Sequence, residues 1–157
     1  MRQPTTSEQA AYEELQCYTL AHGDPAFIHQ HVVDAFAAQH ADEETKPITL
    51  TFALIGLCLH VDYGFSGHQV QRAHMALARQ KRGWPSFPLP AERGAISVVD
   101  VASIAAGPER DTSIDRWCAS VWTEFSESHQ AVTTLLREHG ILWSQKGQAE
   151  CRDSNKG

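Results

Sequence analysis

Apolar residues recur at helical spacing along most of the chain, and glycine, proline and capping residues mark the breaks. Thr5 with Glu8, or Thr6 with Gln9, offers a capping box, so a helix is predicted from about Ser7 to His22 with Gly23 at its C′ position. Asp24 as N-cap and Pro25 at the first helical position then open a second helix. Its Ile28, Val32, Val33 and Phe36 keep helical spacing up to about His40. Pro47 starts a third helix, apolar on nearly every side through Val61, which belongs at the centre of a bundle. Ser66 with Gln69 caps a fourth, carrying Val70, Ala73, Leu77 and Ala78 inward and ending near Gly83.

The second half is less regular. "GWPSFPLPAERG" (83–94) holds three of the seven prolines, which exclude a regular helix and predict an extended strap anchored by Trp84, Phe87 and Leu89. Ser97 and Asp100 have capping-box spacing, so a short helix is preferred there over the strand that the β-branched "AISVV" would also suit. Gly107-Pro108 reads as a turn. Residues 112–139 contain neither Gly nor Pro and carry an amphipathic stripe that includes Ile114, Trp117, Val121, Trp122, Val132 and Leu136. They form one long helix, or two with a break near Ser126–Ser128. The expected fold is all-α: an antiparallel four-helix bundle core, a Pro-rich strap, a short helix and a long C-terminal amphipathic helix. A single helical domain covers 7–143, and 144–157 is a flexible polar tail.

Composition narrows the partners. The 157 residues carry a net charge of −6 with no dense basic run, which disfavours nucleic acid and anionic membrane. The longest apolar run, "ITLTFALIGLCLHV" (48–61), is shorter than the roughly 20 residues that span a bilayer. The N-terminal "MRQPTTSEQAAYEE" does not read as a signal peptide, and the four cysteines form no C-x-x-C pair. A cytoplasmic protein with reduced thiols is expected.

The candidate chemistry is imidazole. Short connections between antiparallel helices would gather His22, His29, His31, His60 and His68 at one end, with Asp24, Asp34 and Asp62. His29 shares a stripe with Val33, Phe36 and His40, so it is expected to face inward, whereas His31, about 200° around the helix, is expected in solvent with His68. His22, His29 and His60 are therefore the expected metal ligands, with Asp34 or His74 as additions. Three imidazoles and an open position suit a catalytic divalent transition metal such as Zn, Fe or Ni. Against this, the chain has no H-E-x-x-H and no H-x-x-x-H, and histidines near helix ends often only bond carbonyls. Cys58 beside His60 reads as a buried structural thiol rather than a nucleophile, and His129 as a satisfied interface histidine.

Four blocks match in order a family of small bacterial proteins of unknown function: "CYTLAHGDPAFIHQHVVDAFAAQH" (17–40), "LHVDYGFSGHQVQRAHMALAR" (59–79), "WPSFPLP" (84–90) and "DRWCASVW" (115–122). The chain resembles that family through a D-P…H…D-A-F/Y-x-x-Q-H signature, here Asp24, Pro25, His29, Asp34, Ala35, Phe36, Gln39 and His40. The resemblance implies a cytoplasmic bacterial protein and imports no reaction. A weaker likeness is to DinB-like metal-binding bundles, which are helical and use three histidines, but whose late-helix H-x-x-x-H pair is missing here. Three functions follow as expectations: a metal-binding protein, and through it a metal-dependent enzyme acting on a small molecule; a non-catalytic interaction or regulatory module, a homodimer through the C-terminal helix; or a metal-free small-molecule binder. The second predicts histidines paired to backbone carbonyls.

Overall fold

The computed structural model describes residues 3–21, 26–80 and 83–142. Among them the chain is all-α, with seven α-helices, one turn of 3-10 helix at Ser126–Ser128 and no strand. The helices are α1 (Thr6–Ala21), α2 (His29–Gln39), α3 (Pro47–Tyr63), α4 (Gly67–Ala78), α5 (Val98–Ala102), α6 (Pro108–Glu124) and α7 (His129–Glu138). None is long and apolar enough to cross a membrane. Gly23, Asp24 and Pro25, the expected cap residues between the first two helices, and the expected tail at 144–157 lie outside the described residues.

Three of the expected capping boxes form. Thr5 Oγ1 accepts from the Glu8 N–H, and Glu8 Oε1 accepts from the Thr5 N–H. Ser66 with Gln69 and Ser97 with Asp100 make the same reciprocal box at α4 and α5. Each satisfies N-terminal donors that the helix itself leaves without partners.

The helices group differently from their order in the chain. α2 packs on α1, α3, α4 and α6, and α6 packs on α2, α3 and α5. The fully buried Ile114, Trp117 and Val121 bring α6 into the centre, beside the nearly all-apolar α3. α1 lies chiefly against α5 and α2, and α7 rests on α3. The middle of the molecule is thus α2, α3 and α6.

Two helix boundaries depart from expectation. α2 begins at His29 rather than Pro25, because Phe27 takes a left-handed backbone (φ 55°) that no helix can continue through. The stretch expected over 112–139 begins earlier, at Pro108, and is two helices with the break at Ser126–Ser128, as the two-helix alternative has it. Pro108 sits at the first helical turn, where its missing N–H costs nothing. The strap carries no helix: Phe87 is buried, and Trp84 meets Phe52 edge-on with ring centroids 5.1 Å apart.

A strained corner and a stacked histidine pair form the candidate site

The α1–α2 corner is clamped by the start of α4. The Gly67 N–H donates to Ala26 O at 2.7 Å, and a Cβ at Gly67 would stand 1.8 Å from Phe27 O. His68, exposed, stacks on the Phe27 ring with centroids 5.0 Å apart. A bulky residue at positive φ is uncommon and persists only where its surroundings fix it. Here the Gly67 backbone and the His68 ring do so, and His29 follows directly.

His29 is paired through Nδ1 with Thr19 of α1. Thr19 Oγ1 lies 2.9 Å from Leu15 O, 3.2 Å from Gln16 O and 3.0 Å from His29 Nδ1. The carbonyls can only accept, so with the single hydroxyl proton turned to one of them Nδ1 donates to Thr19. In the neutral ring the lone pair is then on Nε2. Burial lowers the pKa of His29, which favours that neutral ring.

His60, near the end of α3, sits in a different cluster. Its Nδ1 is 3.1 Å from Phe65 O and its Nε2 2.9 Å from Asp115 Oδ1 on α6. Both are acceptors, so satisfying both takes an N–H on each ring nitrogen. His31 stacks on His60 at 3.5 Å between centroids and is only 3% exposed. The expectation of a solvated His31 fails because α2 has neighbours on several sides and little of it faces solvent.

Asp34 is the most unusual group nearby. It is 3% exposed; Oδ1 accepts from Gln30 Nε2 at 3.0 Å, and Oδ2 has no hydrogen-bond partner. Burial pushes its pKa well above the usual carboxylate range.

The other histidines are tied to carbonyls or rings. His74 Nε2 donates to Phe52 O at 2.8 Å while its ring stacks on Phe52. His129 Nε2 donates to Trp122 O at 2.7 Å and stacks on that indole, as a satisfied interface histidine should. His40 bridges Phe36 O and Glu8. Cys58 is buried and its thiol is pushed up to about 12 by desolvation, which suits a structural thiol. Of the three expected metal ligands, His22 lies outside the described residues, His29 is paired with α1, and His60 bridges Phe65 O to α6. No group of three His, Cys, Asp or Glu side chains that could hold an ion occurs among the described residues.

A model of the family of unknown function DUF5946 matches residues 5–126. The chain belongs to this family. No curated protein and no solved structure matches it. The DUF5946 match runs from the α1 capping box into the 3-10 turn and leaves out α7.

Within that DUF5946 span, the residues around Gln39 hold the helices together. Gln39 Nε2 donates to Arg93 O of the strap and to Ile96 O just beyond it, and its Oε1 accepts from Trp117 Nε1 of α6. Arg93 donates from Nη1 to the carbonyls of Ala38, Gln39 and Ala41, closing the C-terminal end of α2. Phe36 stacks on Tyr12 with centroids 3.8 Å apart. Thr19, Gln30, Phe27 and Asp115 were missed from sequence. Their roles depend on contacts between helices that no local spacing announces, although a glycine directly after the Ser66 cap could have flagged a close approach.

Proposed function

We propose that the protein binds a divalent transition-metal ion at the α1–α2 corner, with His22, His29 and His60 as nitrogen donors. Activity on a small molecule at the ion would follow. The observation that carries this reading is His29: Thr19 pairs with Nδ1, burial favours the neutral ring, and with the proton on Nδ1 the lone pair is on Nε2. Metal-binding imidazoles are oriented in this way by a partner on the other ring nitrogen. His60 would join by exchanging its Asp115 contact for the ion. Zn, Fe and Ni are the candidates because all accept imidazole. The cytoplasm is the proposed setting, in keeping with the free Cys17, Cys58 and Cys118.

The test is elemental analysis of untagged protein purified without chelator, beside His29→Ala and Thr19→Val. The expected result is near one equivalent of metal, lost in His29→Ala, with affinity about 10–100-fold weaker in Thr19→Val. No metal in any sample, and no stabilisation by added Zn²⁺, Fe²⁺ or Ni²⁺, overturns it.

A second reading, a non-catalytic interaction module, is favoured by a separate observation. His40, His60, His74 and His129 each bond a backbone carbonyl. Those imidazoles act as struts between or along helices. This reading predicts unchanged stability with every metal and a homodimer, through the C-terminal helix, by light scattering.

A further inference from the structure

A cleft of about 400 Å³ opens between the strap at residues 88–92 and the corner at 124–128, where α6 turns toward α7. Its size falls within the roughly 300–1,000 Å³ of small-molecule sites. Pro88, Leu89, Pro90 and Phe125 supply apolar wall, and Glu92, Glu124 and Glu127 supply three carboxylates. Arg93 is a neighbouring cation, its guanidinium carbon 5.8 Å from the Phe125 ring centroid. Its Nε and Nη1 donate to the carbonyls of Pro90, Ala38, Gln39 and Ala41.

Carboxylates around a cleft need not be a site, but Ser128 adds an independent observation. It lines the same cleft, is 2% exposed, and its hydroxyl has no hydrogen-bond partner. Buried hydroxyls almost always have one, because leaving one without a partner is costly. An unused hydroxyl in the wall of a cleft with three carboxylates is the chemistry that receives a multi-donor cation.

The geometry points to a binding site for a linear aliphatic amine, a diamine or polyamine. Its ammonium groups are taken by Glu92, Glu124, Glu127 and the Ser128 hydroxyl, and its methylene chain lies along Pro88, Leu89 and Phe125. An ammonium offers three donors and no acceptor, which matches a wall of acceptors. A bare divalent cation would use the carboxylates and leave the apolar wall unused. This site is separate from the α1–α2 corner, so the fate of the metal reading does not bear on it.

The experiment is calorimetric titration of the full chain with putrescine and spermidine at low and physiological salt, with Ca²⁺ as the competing cation. Saturable binding of one amine per chain is expected, weakened at least about fivefold by Glu124→Gln or Glu127→Gln. Glu109→Gln, with the same loss of charge at the start of α6, should leave it unchanged. Ser128→Ala should weaken binding while leaving the thermal stability of the free protein unchanged or higher, which a merely structural serine would not do. No saturable amine binding overturns the proposal. So does equal weakening by Glu109→Gln, or binding of Ca²⁺ to these carboxylates with no binding of either amine.

Discussion

The carboxyl of Asp34 on α2 fills the space that a side chain at Gly56 on α3 would need. A Cβ at Gly56 would stand 1.8 Å from Asp34 Oδ2 and 2.5 Å from its Cγ. Gly56→Ala should therefore displace the carboxyl, strain its bond to Gln30 and destabilise the protein by about 1–3 kcal/mol, the usual cost of overpacking. Urea denaturation of Gly56→Ala, Asp34→Ala and the double variant checks this. Asp34→Ala should recover much of the Gly56→Ala loss, and strictly additive effects would count against the clash.

Asp34 also gives a pH signature. Burial raises its pKa in the folded chain, so the folded state holds a proton that the unfolded chain releases near pH 4. Its contribution to stability is fully present below about pH 4 and is lost as pH rises through the folded value. Asp34→Asn has no such proton. The stability of the native protein relative to this variant should fall as pH rises above about 4, and at neutral pH the variant should be the more stable. Denaturation curves from pH 4 to 8 decide it, and parallel pH profiles would sink the idea.

The pair between Glu8 and His40 has the opposite sign. The hydrogen bond from His40 holds the Glu8 carboxyl below its usual range. Its stabilisation is present above about pH 4.3, the unfolded value, and is lost as pH falls through the folded value. Glu8→Gln keeps the Thr5 cap and loses the charge, and should cost about 1–2 kcal/mol at pH 7. The difference between native and variant should shrink as pH falls below about 4 and close once pH is below the folded value. A difference that persists there would show that packing, not the charged pair, was lost.

How much of this could be read in the chain follows from whether the cause is local. The Ser66–Gln69 and Ser97–Asp100 boxes, the Pro47 start and the strap are written in residues a few positions apart, and the structure has them all. The start of α2 was not legible, because Phe27 is held in its left-handed conformation by Gly67, forty residues on. His31 was misplaced for a related reason. Helical phase assigns one inward stripe, whereas α2 has four helical neighbours, so His31 is buried and His29 half-buried on different sides of it. The central place of α6 was hidden too, since its apolar stripe says that it packs but not where. Asp115 could not be found from spacing at all: it meets His60 across 55 positions.

Gln39 offers the sharpest structural test, because one side chain serves three partners. Its amide nitrogen donates to Arg93 O at 3.1 Å and Ile96 O at 2.8 Å, and its oxygen accepts from the buried Trp117 indole at 2.9 Å. Gln39→Leu strips all three, leaving an indole N–H and two carbonyls to find other partners, and should cost at least about 2 kcal/mol. Gln39→Glu keeps an acceptor for Trp117 but turns a carboxylate toward two carbonyl oxygens. Protonation restores a donor there, so the Glu variant should regain stability as pH falls toward 4 while the deficit of the Leu variant stays flat. Faster proteolysis within residues 83–96 should accompany both losses at pH 8. Equal pH profiles for the two variants would mean that the amide is not what fastens the strap to α2.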